Sequence, residues 1–193
     1  MLAAALGALV AAAIGFWIAG DTGRDGFLRA SRLTARWSFL WFVVAWSASA
    51  LARLWPGGWR AALLFNRRGV GLGFATAHFI HAVFFITAIW GLGASSSPAT
   101  VFGGGLGYVF VLAMAITSHD FWVRRLTPKG WKLLHTVGAS YIVFIFAFTY
   151  YGRIVSSHWP LGVIGLGLIG TALALRAMAW AARRRGQAAR QAA

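Results

Sequence analysis

The chain contains no cysteine and only three acidic residues, Asp21, Asp25 and Asp120. Without cysteine there can be no disulfide, thiolate metal site, iron–sulfur cluster, CxxC redox pair or covalent c-type heme. Any metal or heme must be held by other ligands. The lack of carboxylates removes a glycosidase-like acid pair, a carboxylate proton relay and an acidic ion site inside an apolar run. Charge of any sign is scarce, at 11% of 193 residues, and 60% of the residues are hydrophobic. A soluble globular domain carries about 25% charged and about 45–50% apolar residues. The mean hydropathy of +0.71 belongs to a membrane protein. Each crossing needs about 20 apolar residues, so the length accommodates six or seven spans and no soluble domain of useful size.

What charge remains is basic, 18 Lys and Arg for a net charge of +15. In a soluble protein that balance would suggest nucleic acid. In this composition basic loops fix orientation and meet anionic headgroups, so the expected partner is the lipid bilayer and not nucleic acid.

Uncharged apolar runs punctuated by Arg, Pro, Gly and Trp predict six spans, at about 2–20, 37–55, 70–93, 101–118, 133–152 and 159–181. The fold class they predict is all-α, a six-helix transmembrane bundle forming one integral membrane domain over residues 1–193. The first run has no basic n-region and reads as a span, not a signal peptide. Pro56-Gly57-Gly58 closes the second run, and the third and fourth carry glycine clusters. Loops 2 and 4 and the tail hold twelve Lys and Arg; loops 1, 3 and 5 hold five, namely Arg24, Arg29, Arg32, Arg36 and Arg153. That asymmetry places both termini in the cytoplasm of a multi-pass membrane protein; the expected location is a bacterial-type inner (cell) membrane.

Histidine is the remaining candidate for chemistry. His78 and His81 fall well inside the third run and His135 just inside the fifth, whereas His119 and His158 sit at edges. An ionisable side chain at such depth usually faces a partner or cofactor, and neutral imidazole is a common ligand for heme iron. Residues three apart share a helical face, so His78 and His81 look the same way. Glycines at 71 and 73, at 103–105 and 107, and at 162, 165, 167 and 170 serve close helix packing and also leave room for a flat macrocycle. His119, within Thr117-Ser118-His119-Asp120, reads as an end cap, and His158 as a loop residue.

Asn66-Arg67-Arg68-Gly69-Val70-Gly71-Leu72, followed by His78-Phe79-Ile80-His81, resembles the Arg-Arg-x-x-Gly-Leu opening and downstream histidine of the ferric reductase-like transmembrane domain. Thr117-Ser118, Trp122-Val123-Arg124-Arg125 and Trp131-Lys132-Leu133-Leu134-His135 resemble its loop and fifth-span entry. Within that superfamily the chain is most similar to the heme-binding membrane subunits of the periplasmic methionine sulfoxide reductase system. The resemblance implies a single non-covalent b-type heme, with one-electron transfer across the membrane. Its iron would be ligated by His78 or His81 together with His135, and Arg67 and Arg68 would pair with the propionates. The motif alignment puts His81 at the outer position of the third span and His135 at the inner position of the fifth; Phe148 and Arg67 or Arg68 stand where the family carries their partners. Thirteen residues of helix are about 20 Å, so depth favours His78 as the partner of His135, while the motif favours His81.

With eight residues after Arg185, the family's flavin and nicotinamide domains are expected to be missing. Electrons would then come from a separate reductase or from quinone, which makes the chain an oxidoreductase component at most. Two alternatives stand beside this reading. One is a heme-free scaffold or assembly subunit; the other is a small metal or proton transporter, against which the lack of acids argues.

Overall fold

A computed structural model describes residues 1–156 and 158–192, and the described residues are predominantly helical, without strands. Eight α-helices follow one another: α1 (Leu2–Ala19), α2 (Arg24–Leu54), α3 (Gly58–Phe65), α4 (Arg67–Ile86), α5 (Pro98–Ile116), α6 (Asp120–Arg125), α7 (Thr127–Ile154) and α8 (Trp159–Ala192). Six of them (α1, α2, α4, α5, α7 and α8) are long and apolar enough to cross a membrane. A π-type turn, Thr87–Gly91, extends α4.

The spans occur where the apolar runs predict them, but four (α2, α4, α5 and α7) begin earlier and two (α7 and α8) end later. α2 starts at Arg24, so Arg24, Arg29, Arg32 and Arg36 are helical residues and not members of a connecting loop. The reason is local. Arg24–Arg36 is built mostly of good helix formers, and the Asp21 carboxylate accepts from the backbone N–H of Gly23 at 2.7 Å and of Gly26 at 3.4 Å, opening the helix. α7 likewise starts at Thr127, and α8 runs on through Arg183–Arg185 to Ala192. An apolar window marks the part of a helix that lies in lipid; the hydrogen-bonded helix continues into polar surroundings. Loops 2 and 4 contain the short helices α3 and α6.

The chain divides into two compact units. The first comprises Met1–Phe42 and Gly69–Ile145. Here α1 returns into α2 through Gly20, whose φ of 63° is left-handed. α1 presents a smooth face to α2 and α4: Ala4, Ala8 and Ala77 are wholly buried, with Trp37, Trp41 and Ile80 packed around them. Trp37 Nε1–H donates to the Ala4 carbonyl at 2.9 Å. A Cβ on Gly15 would stand 2.6 Å from Ala30 Cα, so the two helices approach to backbone contact there. α5 opens on Ser97, whose hydroxyl accepts from Thr100 N–H at 3.2 Å, with Pro98 in the first turn. It packs on α7 where Ile142 Cδ1 lies 3.6 Å from the Cβ position of Gly107, and Tyr141 donates to the Gly103 carbonyl at 2.9 Å.

The second unit comprises Val43–Arg68 and Phe146–Ala193. α7 and α8 form a tight antiparallel pair, with Gly162 and Gly165 of α8 seated against Tyr150 and Ile154 of α7. Arg176 of α8 reaches α2, where its Nη1 donates to the Trp46 carbonyl at 3.1 Å.

Candidate functional site

His78 and His81 meet on one face of α4, their ring centroids 5.3 Å apart. Two other helices of the first unit, α2 and α5, face them. From α2, Ser38 and Ser31 reach the two rings; from α5, Tyr108 stacks on His78 at 4.8 Å and 30° and lies 6.3 Å from His81. Phe74, one turn earlier on α4, is 5.2 Å from the His78 ring.

The hydrogen bonds fix which nitrogen of each ring carries the proton. The Ser31 carbonyl lies 2.9 Å from His81 Nδ1 and can only accept, so Nδ1–H donates. The Ser38 hydroxyl donates to the Ala35 carbonyl at 2.8 Å, so its oxygen accepts from His78 Nδ1–H at 3.0 Å. In the neutral ring this places the lone pair of each histidine on Nε2. Pinning the distal nitrogen while Nε2 keeps its lone pair is the arrangement that orients an imidazole ligand toward a metal.

The same reasoning gives His135 the opposite tautomer. Thr117 Oγ1 donates to the Ala113 carbonyl and therefore accepts from His135 Nε2–H at 3.2 Å. Trp131 stacks on the His135 ring at 4.1 Å and donates through Nε1 to the Thr117 carbonyl at 2.9 Å. His135 and Trp131 together clamp the C-terminal end of α5.

The structure thus brings His78 and His81 together but sets His135 at another level. On α5 the α4 pair touches Tyr108 and His135 touches Thr117; nine residues of helix separate these contacts, about 13 Å. Two axial ligands of one iron stand only about 4 Å apart, given metal–nitrogen bonds of about 2.0–2.1 Å. An iron shared between the α4 pair and His135 therefore does not fit this arrangement. Arg67 and Arg68 open α4, ten or more residues before His78 and exposed, about 15 Å along the helix from the pair. His119 caps α6, accepting from Phe121 N–H at 3.3 Å. His158 is exposed ahead of α8. Among the described residues no three His, Asp or Glu side chains gather as a metal site.

Sequence reasoning missed the residues that complete the site. Ser31 lies in the stretch read as loop 1, and its spacing of seven from Ser38, one helical face, becomes visible only once α2 begins at Arg24. Tyr108 is the lone tyrosine of the fourth span. Its hydroxyl is buried and has no hydrogen-bond partner among the described residues, a rare condition in a folded protein.

Comparison with protein-family models, with curated proteins and with solved structures finds no match to this chain.

Proposed function

We propose that this chain is an integral membrane electron-transfer subunit of the ferric reductase-like type, holding b-type heme from the α4 side. The observation behind this reading is the anchoring of the α4 pair: α2 holds both imidazoles at Nδ1, through Ser38 and Ser31, the arrangement that orients an imidazole toward a metal. His78 or His81 would hold the iron of such a group. His135, engaged with Thr117 and Trp131, would hold the end of α5 instead.

Heme supplies reversible one-electron chemistry when bound. The chain's own residues do the positioning. Ser38 and Ser31 fix the ring planes, and the unused histidine of the pair and Tyr108 provide polar groups beside the ligand in otherwise apolar surroundings. Arg67 and Arg68 open α4 at the membrane edge. A separate reductase or quinone would deliver the electrons, in a bacterial inner membrane protein with both termini in the cytoplasm.

The test is purification from heme-replete cells, with oxidised and reduced spectra and a pyridine hemochrome assay. A b-type Soret band at a single heme per chain is expected, lost in His78→Ala or His81→Ala and retained in His135→Ala. Loss in His135→Ala as well would refute the separation into two levels. A colourless protein would overturn the heme reading. It would favour the second one, a heme-free membrane scaffold, for which the distance between His135 and the α4 pair already speaks.

A further inference from the structure

Arg176 is the one charged residue of α8 between Trp159 and the basic run at Arg183. It lies seventeen residues after Trp159, about 26 Å along the helix, and so near the far edge of a hydrocarbon core about 30 Å thick. An arginine at a helix end can simply snorkel to water. This one is held in place. Its Nη1 donates to the Trp46 carbonyl at 3.1 Å, and its guanidinium carbon stands 4.7 Å over the Trp46 ring. The side chain is half-buried and makes no other hydrogen bond or ion pair among the described residues, which leaves most of its five N–H donors for something outside the chain.

The surroundings add cations and no anion. Arg67, in the same compact unit, acts electrostatically on Arg176. Two turns on, along the same face of α8, Arg184 stacks 4.0 Å over Trp180. Residues 43–68 and 146–193 include no Asp or Glu. A fixed guanidinium backed by the Trp46 ring, within reach of the charge of Arg67 and in a unit without an acidic side chain, points to a counter-anion from outside. At the edge of the hydrocarbon core the abundant anion is a phosphate diester, and the fork of Arg matches its oxygens.

We infer that Arg176 and Arg67 bind the phosphate of an anionic phospholipid, with Trp46 as the platform that holds the Arg176 guanidinium in place. This goes beyond the heme reading and involves none of its residues, apart from the membrane-edge role already given to Arg67. The chemistry recognised is a phosphate anion, whose source is a lipid headgroup or free phosphate; the depth of Arg176 favours the lipid.

The full-length protein, stripped of lipid in detergent, is titrated with phosphatidylglycerol, phosphatidylcholine or inorganic phosphate, and bound species are counted by native mass spectrometry. Phosphatidylglycerol is expected to bind in preference to phosphatidylcholine. Arg176→Gln and Arg67→Gln should each weaken it about fivefold, the equivalent of one basic residue at a membrane surface, while Arg190→Gln in the exposed tail leaves it unchanged. Arg67 is exposed, so its variant reads the site even where Arg176→Gln fails to fold. Equal binding of the two lipids, or an equal effect of Arg190→Gln, would overturn the site in favour of general basic attraction. Binding of inorganic phosphate that depends on Arg176 and displaces phosphatidylglycerol would overturn the lipid assignment.

Discussion

Gly162→Ala tests the α7–α8 contact most directly. A Cβ at residue 162 would stand 2.6 Å from Ile154 Cγ1, 2.7 Å from the Ile154 nitrogen and 2.7 Å from the Tyr150 carbonyl oxygen. Comfortable carbon contacts lie at about 3.5–4.0 Å, so the new methyl intrudes by about 1 Å, and two of the three obstacles are backbone atoms that cannot rotate away. The helices must separate locally, and overpacking of this kind costs about 1–3 kcal/mol. Replacing glycine within a helix returns about 0.5–1 kcal/mol through chain entropy. Gly170, on the same helix with nothing within 4 Å of its Cβ position, serves as the control, because Gly170→Ala receives the entropic gain without the clash. The difference between the variants is therefore the packing cost, about 1–3 kcal/mol, or about 2–12 °C in melting temperature at about 2–4 °C per kcal/mol. Thermal unfolding in detergent, followed by tryptophan fluorescence, measures it. Equal melting temperatures for the two variants would refute the claim that α7 and α8 touch at backbone distance.

Three further outcomes are expected. Trp37→Phe removes the donor to the Ala4 carbonyl and should cost about 0.6 kcal/mol, typical of an interhelical hydrogen bond in a membrane; faster amide hydrogen exchange in α1 than in α2 would accompany it. Thr117→Val takes away the acceptor of His135 Nε2–H and should lower stability by about 1 kcal/mol, with Thr117→Ser restoring it; an unchanged melting temperature in the valine variant would remove His135 from the clamp. Tyr108→Phe deletes a buried hydroxyl that has no partner among the described residues and should be neutral or stabilising by about 1 kcal/mol in protein purified without heme. A clear loss there would mean that the hydroxyl is engaged after all.

The positions of the six long helices were legible because lipid imposes a length of uninterrupted apolar residues, and nothing else in the chain imitates it. Their true ends were not. Hydropathy falls at Arg36 and at Arg183, while the backbone ladder continues past both. That error hid half of the candidate site, since Ser31 becomes a partner for His81 only when Arg24–Arg36 is helix. The pairing of His78 with His81 was readable from their spacing on one face. Whether His135 joins them depends on which residue of α5 each ring touches, a tertiary fact with no local signature. Helix rise sets His81 and His135 at different depths, and on α5 the two sites touch residues nine apart, Tyr108 and Thr117. Arg176 was visible as the odd charge in an apolar run, but the carbonyl and ring of Trp46 that hold it lie 130 residues away in the chain.

The smooth face of α1 has a consequence for how this protein can change over generations. Ala4, Ala8 and Ala12 are buried, and Gly15 meets the α2 backbone, while Leu2, Leu6, Leu9, Val10 and Ile14 between them are exposed. One side of the helix accepts almost any apolar residue, since acyl chains flow around it. The other side tolerates no gain of even one methyl group at Gly15. Drift along this segment would therefore be sharply one-sided, free in bulk toward the lipid and frozen at the smallest side chains toward the protein, so α1 is recognised by where it cannot grow.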